Sequence, residues 1–367
     1  MNTTALSERR LAGAQVSGGE VLASFAKTLE GLVGGPLDPD SLSSGIAALE
    51  ADLNLAISRP DLTERLTSVA TSSTRVTQRL NQMSDGIQTA RSNADSDIAK
   101  TINTLNESLS QVEELNARIM IATNVGEDAH SLRDMRQALI DQIGEIVPVR
   151  EISRDRGSVA LYTTGGGILL DGSAVKIEFN PVNLVTPDMT TASGALSGMS
   201  MNGVEIRTDS ETSPLRGGKL TALFDLRDVV TVEAQARVDS VARDLIDRFQ
   251  SDGSDPTRTP GDAGLFTDAG TAFDPANEIG LAGRISLNSL VNPNKGGDVT
   301  RLRDGLYAAA PGPSGDATLL QSMADVLSSN RVPASGGFTN SALSFSGLAV
   351  ALSSATGTDL QNAEVTL

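Results

Sequence analysis

The residues best suited to chemistry in this chain are few and far apart. Gly165, Gly166 and Gly167 form a triple glycine of the kind that can wrap around a phosphate. A phosphate-binding loop would continue with Lys and then Ser or Thr at the start of a helix, and the residues after Gly167 do not have this pattern. The three glycines therefore favour a β-turn over a nucleotide site.

A set of acidic residues in the second half could offer oxygen ligands to calcium. These residues lack the regular ligand spacing and the closing Glu of a calcium loop. Asp and Ser side chains also cap turns by bonding to nearby backbone N–H groups, and that interpretation fits better. The residues concerned are Asp252, Ser254, Asp255, Asp262 and Asp268.

The single histidine and the absence of cysteine remove most catalytic schemes. His130 stands at the start of a predicted helix, where a capping or solvent-facing role fits better than catalysis. Arg133, Asp134 and Arg136 are interpreted as ion pairs on a helix surface. No nucleophile, base and orienting group can be assembled, so we expect no catalytic, cofactor-binding or metal-binding residue, no cofactor and no enzymatic activity.

The composition points to a structural protein. The chain has 367 residues with 46 acidic and 29 basic side chains, a net charge of −17, and only 3% aromatic residues. An acidic chain is a poor partner for nucleic acid or an anionic membrane, and a low aromatic content disfavours a small-molecule pocket. No run approaches the ~18 apolar residues of a membrane span, and residues 1–10 lack the apolar core of a secretory signal. The protein is therefore cytoplasmic, or leaves the cell without a cleaved signal, or has its natural end outside this sequence.

A long apolar stripe dominates the first half and predicts the element that positions the rest. Steps of four and three residues keep one narrow face apolar on a helix over residues 62–122, although Gly86 could kink it. A helix of this length indicates an architectural rod that packs on other helices. The stripe consists of Leu62, Leu66, Val69, Val76, Leu80, Met83, Ile87, Ala90, Ala94, Ile98, Ile102, Leu105, Leu109, Val112, Leu115, Ile119 and Ala122.

Shorter helices flank this rod. A helix over residues 46–57 is expected to follow caps at Asp38 to Asp40, with Asp61 as the cap of the long helix. A helix over 131–147 should return antiparallel, and a third stripe runs over 220–249 after Gly217 and Gly218. Later segments predict a strand at Ile285 and Leu287 and helices around Leu302, 319–327 and 343–352. The apolar face of the 131–147 helix contains Leu132, Met135, Leu139, Ile143 and Ile146.

A β pattern interrupts the helices between residues 149 and 214. Short apolar runs are separated by Arg156-Gly157, the triple glycine and Asp171-Gly172, which are hairpin signals. The expected fold is α+β but mainly α, an elongated bundle of long helices with an inserted small antiparallel β domain. We divide it into 1–147, the N-terminal half of a helical rod; 148–216, the β domain; and 217–367, which completes the rod. We expect the β region to be semi-independent.

Several segments together resemble the flagellar hook-associated protein 1 family. Leu132-Arg133-Asp134-Met135-Arg136-Gln137-Ala138-Leu139-Ile140, followed by Ile146-Val147-Pro148-Val149, is similar to the helix that closes the family's N-terminal half. Leu115-Asn116-Ala117-Arg118-Ile119 resembles the helix before it. The run from Gly217 to Asp228 and the run from Val238 to Leu245 resemble the family's returning helix, and the stretch from Gly261 to Phe266 resembles the turn after that helix.

The resemblance implies a structural role at the ring between the flagellar hook and filament. It implies an extracellular location after export by the flagellar type III system. The implied partners are the hook protein, hook-associated protein 3, neighbouring copies and an export chaperone. The chaperone usually binds the closing helix of family members, and we expect that helix to be missing from this sequence. Arg248-Phe249-Gln250 stands where the family commonly has Asn, and the paired terminal helices are not evident, so we interpret the sequence as the folded middle of such a protein.

Two other classes of protein remain open from the sequence alone. A surface adhesin or ligand-binding module on a helical stalk would require a ligand groove within residues 149–214. An enzyme would require a cluster of polar side chains in a deep cleft. Both alternatives make claims about surface shape that a structure can address.

Overall fold

The computed structural model describes residues 3–35, 38–251, 253–338 and 341–365. Helices dominate and the strands are antiparallel, which confirms the predicted mainly α class of α+β fold. The helices are α1 (Thr3–Val33), α2 (Leu42–Ser58), α3 (Thr63–Val125), α4 (His130–Ile146), α5 (Gly218–Asp225), α6 (Thr231–Gln250), α7 (Leu281–Arg284), α8 (Arg301–Asp304), α9 (Thr318–Ser328) and α10 (Phe345–Val365). The strands are β1 (Val149–Ser153), β2 (Val159–Thr163), β3 (Ile168–Asp171), β4 (Ser173–Ala174), β5 (Ile177–Phe179), β6 (Met199–Met201), β7 (Val204–Ile206), β8 (Phe266–Asp268) and β9 (Ile285–Leu287).

The described residues form two compact units that are discontinuous in sequence. Unit 1 contains the residues up to Ala26, Thr89–Thr231 and the residues from Leu360 onward. Unit 2 contains Lys27–Gln88 and Val232–Asp359. Helix α3 contributes its first 26 residues to unit 2 and the remainder to unit 1, so each unit is built around one part of the same apolar stripe.

The apolar stripe of α3 has the predicted register. Its members from Leu66 to Ala122 are buried, apart from the half-buried Ala90, and Leu62 precedes the helix. The helix continues through Gly86, where a Cβ would collide with the Leu32 side chain of α1. This glycine therefore allows two helices of unit 2 to approach closely rather than ending or dividing α3.

The caps differ from the expected ones. Ser41, not Asp38 or Asp40, is the N-cap of α2, and its hydroxyl accepts the Ser44 N–H at 3.1 Å. Asp61, expected to cap α3, bonds to the Arg59 guanidinium at 3.0 Å. A hydrogen bond between two charged groups is stronger than one to a neutral N–H, so the nearby arginine competes successfully with the helix end for this carboxylate.

Helix α4 keeps part of its predicted face, because Ile143 and Ile146 are buried. Met135, however, is 56% exposed, and Arg136 and Ile140 are buried instead. The predicted placement of Met135 on the core face is therefore wrong. Met135 lies at the surface, and the neighbouring Arg136 is buried because its guanidinium has hydrogen-bond acceptors inside unit 1.

Unit 1 contains two antiparallel sheets. The first has the order β1-β2-β3-β4 and the second the order β5-β6-β7. The predicted turns at Arg156-Gly157, at the triple glycine and at Asp171-Gly172 all lie between paired strands. In unit 2, Ile285 and Leu287 lie in β9, which pairs with β8 as a separate two-stranded sheet. The strand predicted there is confirmed.

The β region and the helices of unit 1 share one hydrophobic core. Ile98, Leu105 and Ile143 from the helices pack with Leu161 and Leu170 from the strands in a single buried cluster. The expectation of a semi-independent β region is therefore corrected, because its inner face has no core of its own. The division of the chain into segments 1–147, 148–216 and 217–367 remains a proposal.

The third apolar stripe is not one regular helix. A π-helical turn, Leu226–Val230, separates α5 from α6. Such turns insert one residue into the helical ladder and often mark sites with a special role. Of the later helices, α8 covers Leu302, α9 covers the predicted 319–327, and α10 extends beyond the predicted 343–352. Within the described residues, no helix is both long enough and apolar enough to cross a bilayer.

Candidate assembly surface

The triple glycine forms the turn between β2 and β3. The Thr163 hydroxyl accepts the Gly167 N–H at 2.7 Å and itself donates to the Pro214 carbonyl. A Cβ on Gly165 would lie 2.5 Å from that same carbonyl oxygen. The turn interpretation is confirmed, and the glycines serve close packing against residue 214.

The acidic residues of the second half make turns and ion pairs in unit 2. Asp255 accepts the N–H groups of Thr257 and Leu306, each at 2.9 Å. Asp262 accepts an N–H three residues earlier in the chain, and Asp268 pairs with an arginine of α7 at 2.8 Å. Asp252 lies outside the described residues. Across the described part of the chain, no group of acidic or histidine side chains is arranged to hold a metal ion.

His130 projects into solvent at the start of α4. Its side chain is 80% exposed, and its Nε2 lies 3.6 Å from Asp128 Oδ1. That carboxylate oxygen also accepts the His130 backbone N–H at 2.9 Å. The turn is thus capped by Asp128, and the histidine itself takes the solvent-facing role, one of the two roles predicted for it.

Arg136 is buried and fixes the β1–β2 hairpin on α3, so its assignment to the helix surface is wrong. Its guanidinium donates to Asn116 Oδ1 at 2.9 Å and to the Gly157 carbonyl at 2.8 Å. Asn116 in turn donates to the Val159 carbonyl at 2.8 Å and accepts the Val159 N–H at 3.2 Å. Burial lowers the pKa of Arg136, and the hydrogen bonds to Asn116 and Gly157 compensate for the water that its guanidinium has lost.

A second buried arginine, Arg227, lies in the π-helical turn and binds α3. Its side chain and that of Asp95 are both 0% exposed, and they form an ion pair at 2.7 Å. Asp228 supplies a second carboxylate at 2.8 Å, and the guanidinium lies 5.5 Å and 5.1 Å from the ring centroids of Phe179 and Phe224. The paired carboxylates and cation–π contacts let a full charge remain inside unit 1.

Arg91, one turn before Asp95, holds the irregular segment between β5 and β6. It donates to the Arg227 carbonyl at 2.8 Å, to the Thr186 carbonyl at 3.1 Å and to the Met189 carbonyl at 2.7 Å. Asp95 accepts the Val182 N–H at 2.7 Å. These contacts satisfy backbone groups that have no strand partner. The polar residues of α3 therefore position the β region together with its apolar stripe.

The outer face of the first sheet is the surface that these networks hold in place. Because cross-strand partners point to the same side, the pairs Arg150–Tyr162, Tyr162–Ile168 and Ile152–Ala160 share one face. Val149, Val159 and Leu161 alternate with them toward the core. Ile152 and Ile168 are 43% and 47% exposed. We refer to Arg150, Ile152, Arg154, Tyr162, Ile168 and Asp171 as the sheet face.

A polar triad crosses the sheet face. Arg154 donates to both carboxylate oxygens of Asp171, at 3.1 Å and 2.7 Å, and to the Tyr162 hydroxyl at 2.9 Å. The Tyr162 hydroxyl donates to the same carboxylate at 2.6 Å. The hydrogen bonds from Arg154 and then Tyr162 lower the pKa of Asp171. The triad fixes an aromatic ring and a guanidinium at the surface, and these groups commonly dominate protein–protein interfaces.

Three clefts in the described part of the protein are polar rather than suited to a small apolar ligand. In unit 1, a cleft of about 340 Å³ lies between Lys100, Glu145 and Lys219 and is open to solvent. In unit 2, two clefts of about 370 Å³ are lined mainly by Ser, Asp, Arg and Gln side chains. Ligand pockets are usually lined by apolar and aromatic groups. The sheet face is therefore the better candidate for a functional surface.

Asp225, beside the buried arginine network, gives a pH-dependent prediction. Burial, helped by Asp209 and Asp228, raises the pKa of Asp225 to about 6. The unfolded chain loses this proton near the ordinary value of about 3.9, so the folded state binds more protons between these values and stability falls as pH rises through that window. Because the side chain is half-exposed, we expect Asp225→Asn to raise the free energy of unfolding by only about 1 kcal/mol near pH 7.5.

The gain from Asp225→Asn should be nearly absent at about pH 3, below both pKa values, where the Asp225 carboxyl is mostly protonated in the folded and the unfolded wild-type chain. Urea denaturation at the two pH values measures it. Asp239 in unit 2 is the matched contrast, because burial raises its pKa to about 6 but its oxygens accept the Gly280 and Ala282 N–H groups. Asp239→Asn removes an acceptor and should not stabilise the protein. An equal gain from both variants would contradict the assignment.

Most of the residues that define this surface and its supports have weak signals in the sequence. Arg91 and Asp95 follow Ile87 at steps of four residues, which places two charged side chains on the buried side of α3. This spacing is the one feature of the sequence that indicates their burial. Arg227 has no such signal, because its burial depends on a π-helical turn that apolar spacing does not predict. Tyr162 is one of only two tyrosines in the chain, but its surface role needs the strand register.

Comparison with known proteins agrees with this architecture. The structure of the flagellar hook junction protein FlgK from Burkholderia pseudomallei matches with a TM-score of 0.57 at 16% identity, over 71% of this chain and 46% of that one. This likeness concerns the fold. Flagellar hook-associated protein 1 of Bacillus subtilis is 22% identical over 251 residues, which is 63% of this chain and 48% of that protein. The chain thus spans about half the length of these relatives.

The family model described as the flagellar hook-associated protein FlgK helical domain matches residues 26–264. The matched region includes part of both compact units, the whole of α3 and all seven strands of unit 1. Because it covers more than half of the chain, the chain belongs to the FlgK flagellar hook-associated protein family.

Proposed function

We propose that this protein is a structural component of the bacterial flagellum that forms the junction between hook and filament by subunit packing. The observation that carries the proposal is the family match over residues 26–264. It is supported by a relative named flagellar hook-associated protein 1 and by a similar fold in a flagellar hook junction protein. Its location would be extracellular, in the flagellum, after export.

The arrangement of side chains suits a rigid structural subunit. Arg91, Arg136 and Arg227 each join the β region to helices through several hydrogen bonds. Ion pairs and carbonyl contacts of this kind fix one arrangement of packed elements, which a subunit in a repeated assembly requires. The protein would therefore act by shape and surface rather than by catalysis.

The proposed partners are the hook protein, hook-associated protein 3 and neighbouring copies of the chain, with an export chaperone before assembly. Each partner would meet a different surface, and a rigid subunit keeps these surfaces at fixed positions. We infer that the sheet face is one of them, because it combines exposed isoleucines with a fixed tyrosine and arginine.

Removing the gene in the organism that carries it tests this proposal. We expect cells with hooks but without attached filaments, flagellin released into the medium and loss of swimming. Restoring the gene at a second locus should restore filaments. Electron microscopy of the cells and the flagellin content of the medium are the readouts. Normal filaments in the deletion strain would contradict the proposed function.

The adhesin alternative has one favourable observation, the exposed sheet face within residues 149–171. It makes a different prediction for the same strain. Cells would keep normal filaments and swimming and would lose attachment to a surface or to a host glycan. The gene deletion therefore separates the two functions by the presence or absence of filaments.

A further inference from the structure

We propose that the sheet face of one copy docks on the end of α3 in a second copy of the same chain, as a head-to-tail contact. This inference rests on the proposed function, because it names one lateral partner of a subunit that works by packing. Its support comes from two exposed surfaces of unit 1 whose apolar and charged groups complement each other.

The second surface contains two exposed apolar residues on the otherwise polar face near the end of α3. Ile121 and Val125 are 64% and 65% exposed and are not members of the apolar stripe, whose large residues from Leu66 to Ile119 are buried. Positions 114, 118, 121 and 125 follow steps of four, three and four, so they share one helix face. We refer to Glu114, Arg118, Ile121, Val125, Glu127 and Asp128 as the helix-end face.

The hydrophobic cluster at this end of α3 does not include Ile121 or Val125, so core packing does not require them to be apolar. The core contacts at this end of α3 are made by Ile119 and Ala122, which pack with Ala129 and Leu132. Ile121 and Val125 could be polar without loss to that cluster. Two neighbouring exposed apolar residues on an otherwise polar helix face supply the apolar centre that a contact surface with a polar rim requires.

The charges of the two faces are opposite. The sheet face has Arg150 and the paired Arg154–Asp171, so its net charge is positive in a chain of net charge −17. On the helix-end face, Glu127 and Asp128 add to the Glu114–Arg118 pair, so its net charge is negative. Opposite potentials steer two surfaces together and fix their register.

The same charges argue against a symmetrical contact. A contact between two sheet faces would place Arg150 of one chain near Arg150 of the other. A contact between two helix-end faces would place Glu127 and Asp128 of one chain near the same residues of the other. Like charges in one interface are unfavourable. A contact of sheet face with helix-end face is heterologous, and contacts of this type extend into rings or helical arrays rather than closing as dimers. That geometry suits a repeated tubular assembly.

The absence of cysteine makes this contact directly measurable. Ile168→Cys and Val125→Cys chains, one carrying a size tag, are mixed at high protein concentration under mild oxidation, and disulfide-linked species are separated by size. We expect the mixed Ile168→Cys and Val125→Cys product to exceed each self-linked product at least about fivefold. The matched control is Val204→Cys, because Val204 is 66% exposed in β7 of the same unit. It should give only the background yield with Val125→Cys.

Charge reversal tests the recognition itself. Arg150→Glu in the Ile168→Cys chain should lower the mixed yield about threefold to fivefold, in line with an exposed charge pair. Glu127→Lys in the Val125→Cys chain should restore it. Equal yields from the Val204→Cys control, or a yield unmoved by Arg150→Glu, would overturn the proposal, as would dominant self-linked products.

The result is independent of the test of function. If cross-linking fails while the gene deletion still removes filaments, the proposed contact is wrong and the junction role stands. If cross-linking succeeds while filaments persist, the chain self-associates through these faces but not as a hook–filament junction. The two experiments therefore fail separately.

Discussion

Replacing Arg227 with methionine is expected to lower the free energy of unfolding by about 3–5 kcal/mol, because it leaves a carboxylate buried without its cation. Asp95 is fully buried and would keep only the Val182 N–H bond at 2.7 Å. The variant also loses the bond from Arg227 to the Ser197 carbonyl at 3.1 Å. Urea denaturation followed by circular dichroism measures the change.

Two companion variants show whether the buried charge is the cause. Adding Asp95→Asn to Arg227→Met removes the orphaned charge, so we expect part of the lost stability to return. Arg118→Met removes an arginine that is exposed and 3.9 Å from Glu114, and it should change stability by less than about 0.5 kcal/mol. If Arg227→Met behaved like Arg118→Met, the arginine would not be a buried element of unit 1.

Replacing Leu105 with aspartate is expected to cost about 5 kcal/mol or more. Leu105 is 0% exposed and lies in the cluster shared by α3, α4 and the strands of unit 1. Loss of a buried leucine alone costs about 2–5 kcal/mol. A charge without a partner in the same place adds a desolvation penalty. The melting temperature of unit 1 should fall by many degrees.

The matched control is Ile121→Asp on the same helix. This side chain is 64% exposed, so the same change in chemistry should leave the melting temperature nearly unchanged. The pair of variants thus separates burial from helix propensity, since both place aspartate within α3. Equal losses from the two variants would contradict the register of α3.

The apolar stripes were predictable because helix burial follows a local period. Leu66 and Leu109 are buried as their spacing requires. The exchange of Met135 for Arg136 on the core side of α4 was not predictable, because the acceptors of Arg136 are Asn116 and Gly157. Their proximity depends on how the β1–β2 hairpin folds back onto α3, and no local pattern encodes that.

The candidate surface was less predictable than the fold. The hairpin turns determine which segments pair, but a β-bulge shifts the register between Leu161 and Tyr162. A shift of one residue moves side chains to the other face of a strand. The positions of Tyr162 and Ile168 on one face therefore follow from the folded sheet. The same holds for Arg91, whose acceptors lie in an irregular segment more than ninety residues away.

The location of the protein in intact flagella tests the central claim most directly. Antibodies raised against the purified chain and coupled to gold would be applied to isolated hook–basal bodies with attached filaments, and the label would be located by electron microscopy. The junction role predicts label confined to a narrow band between hook and filament. Label spread along the filament or over the cell surface, with none at that boundary, would contradict it.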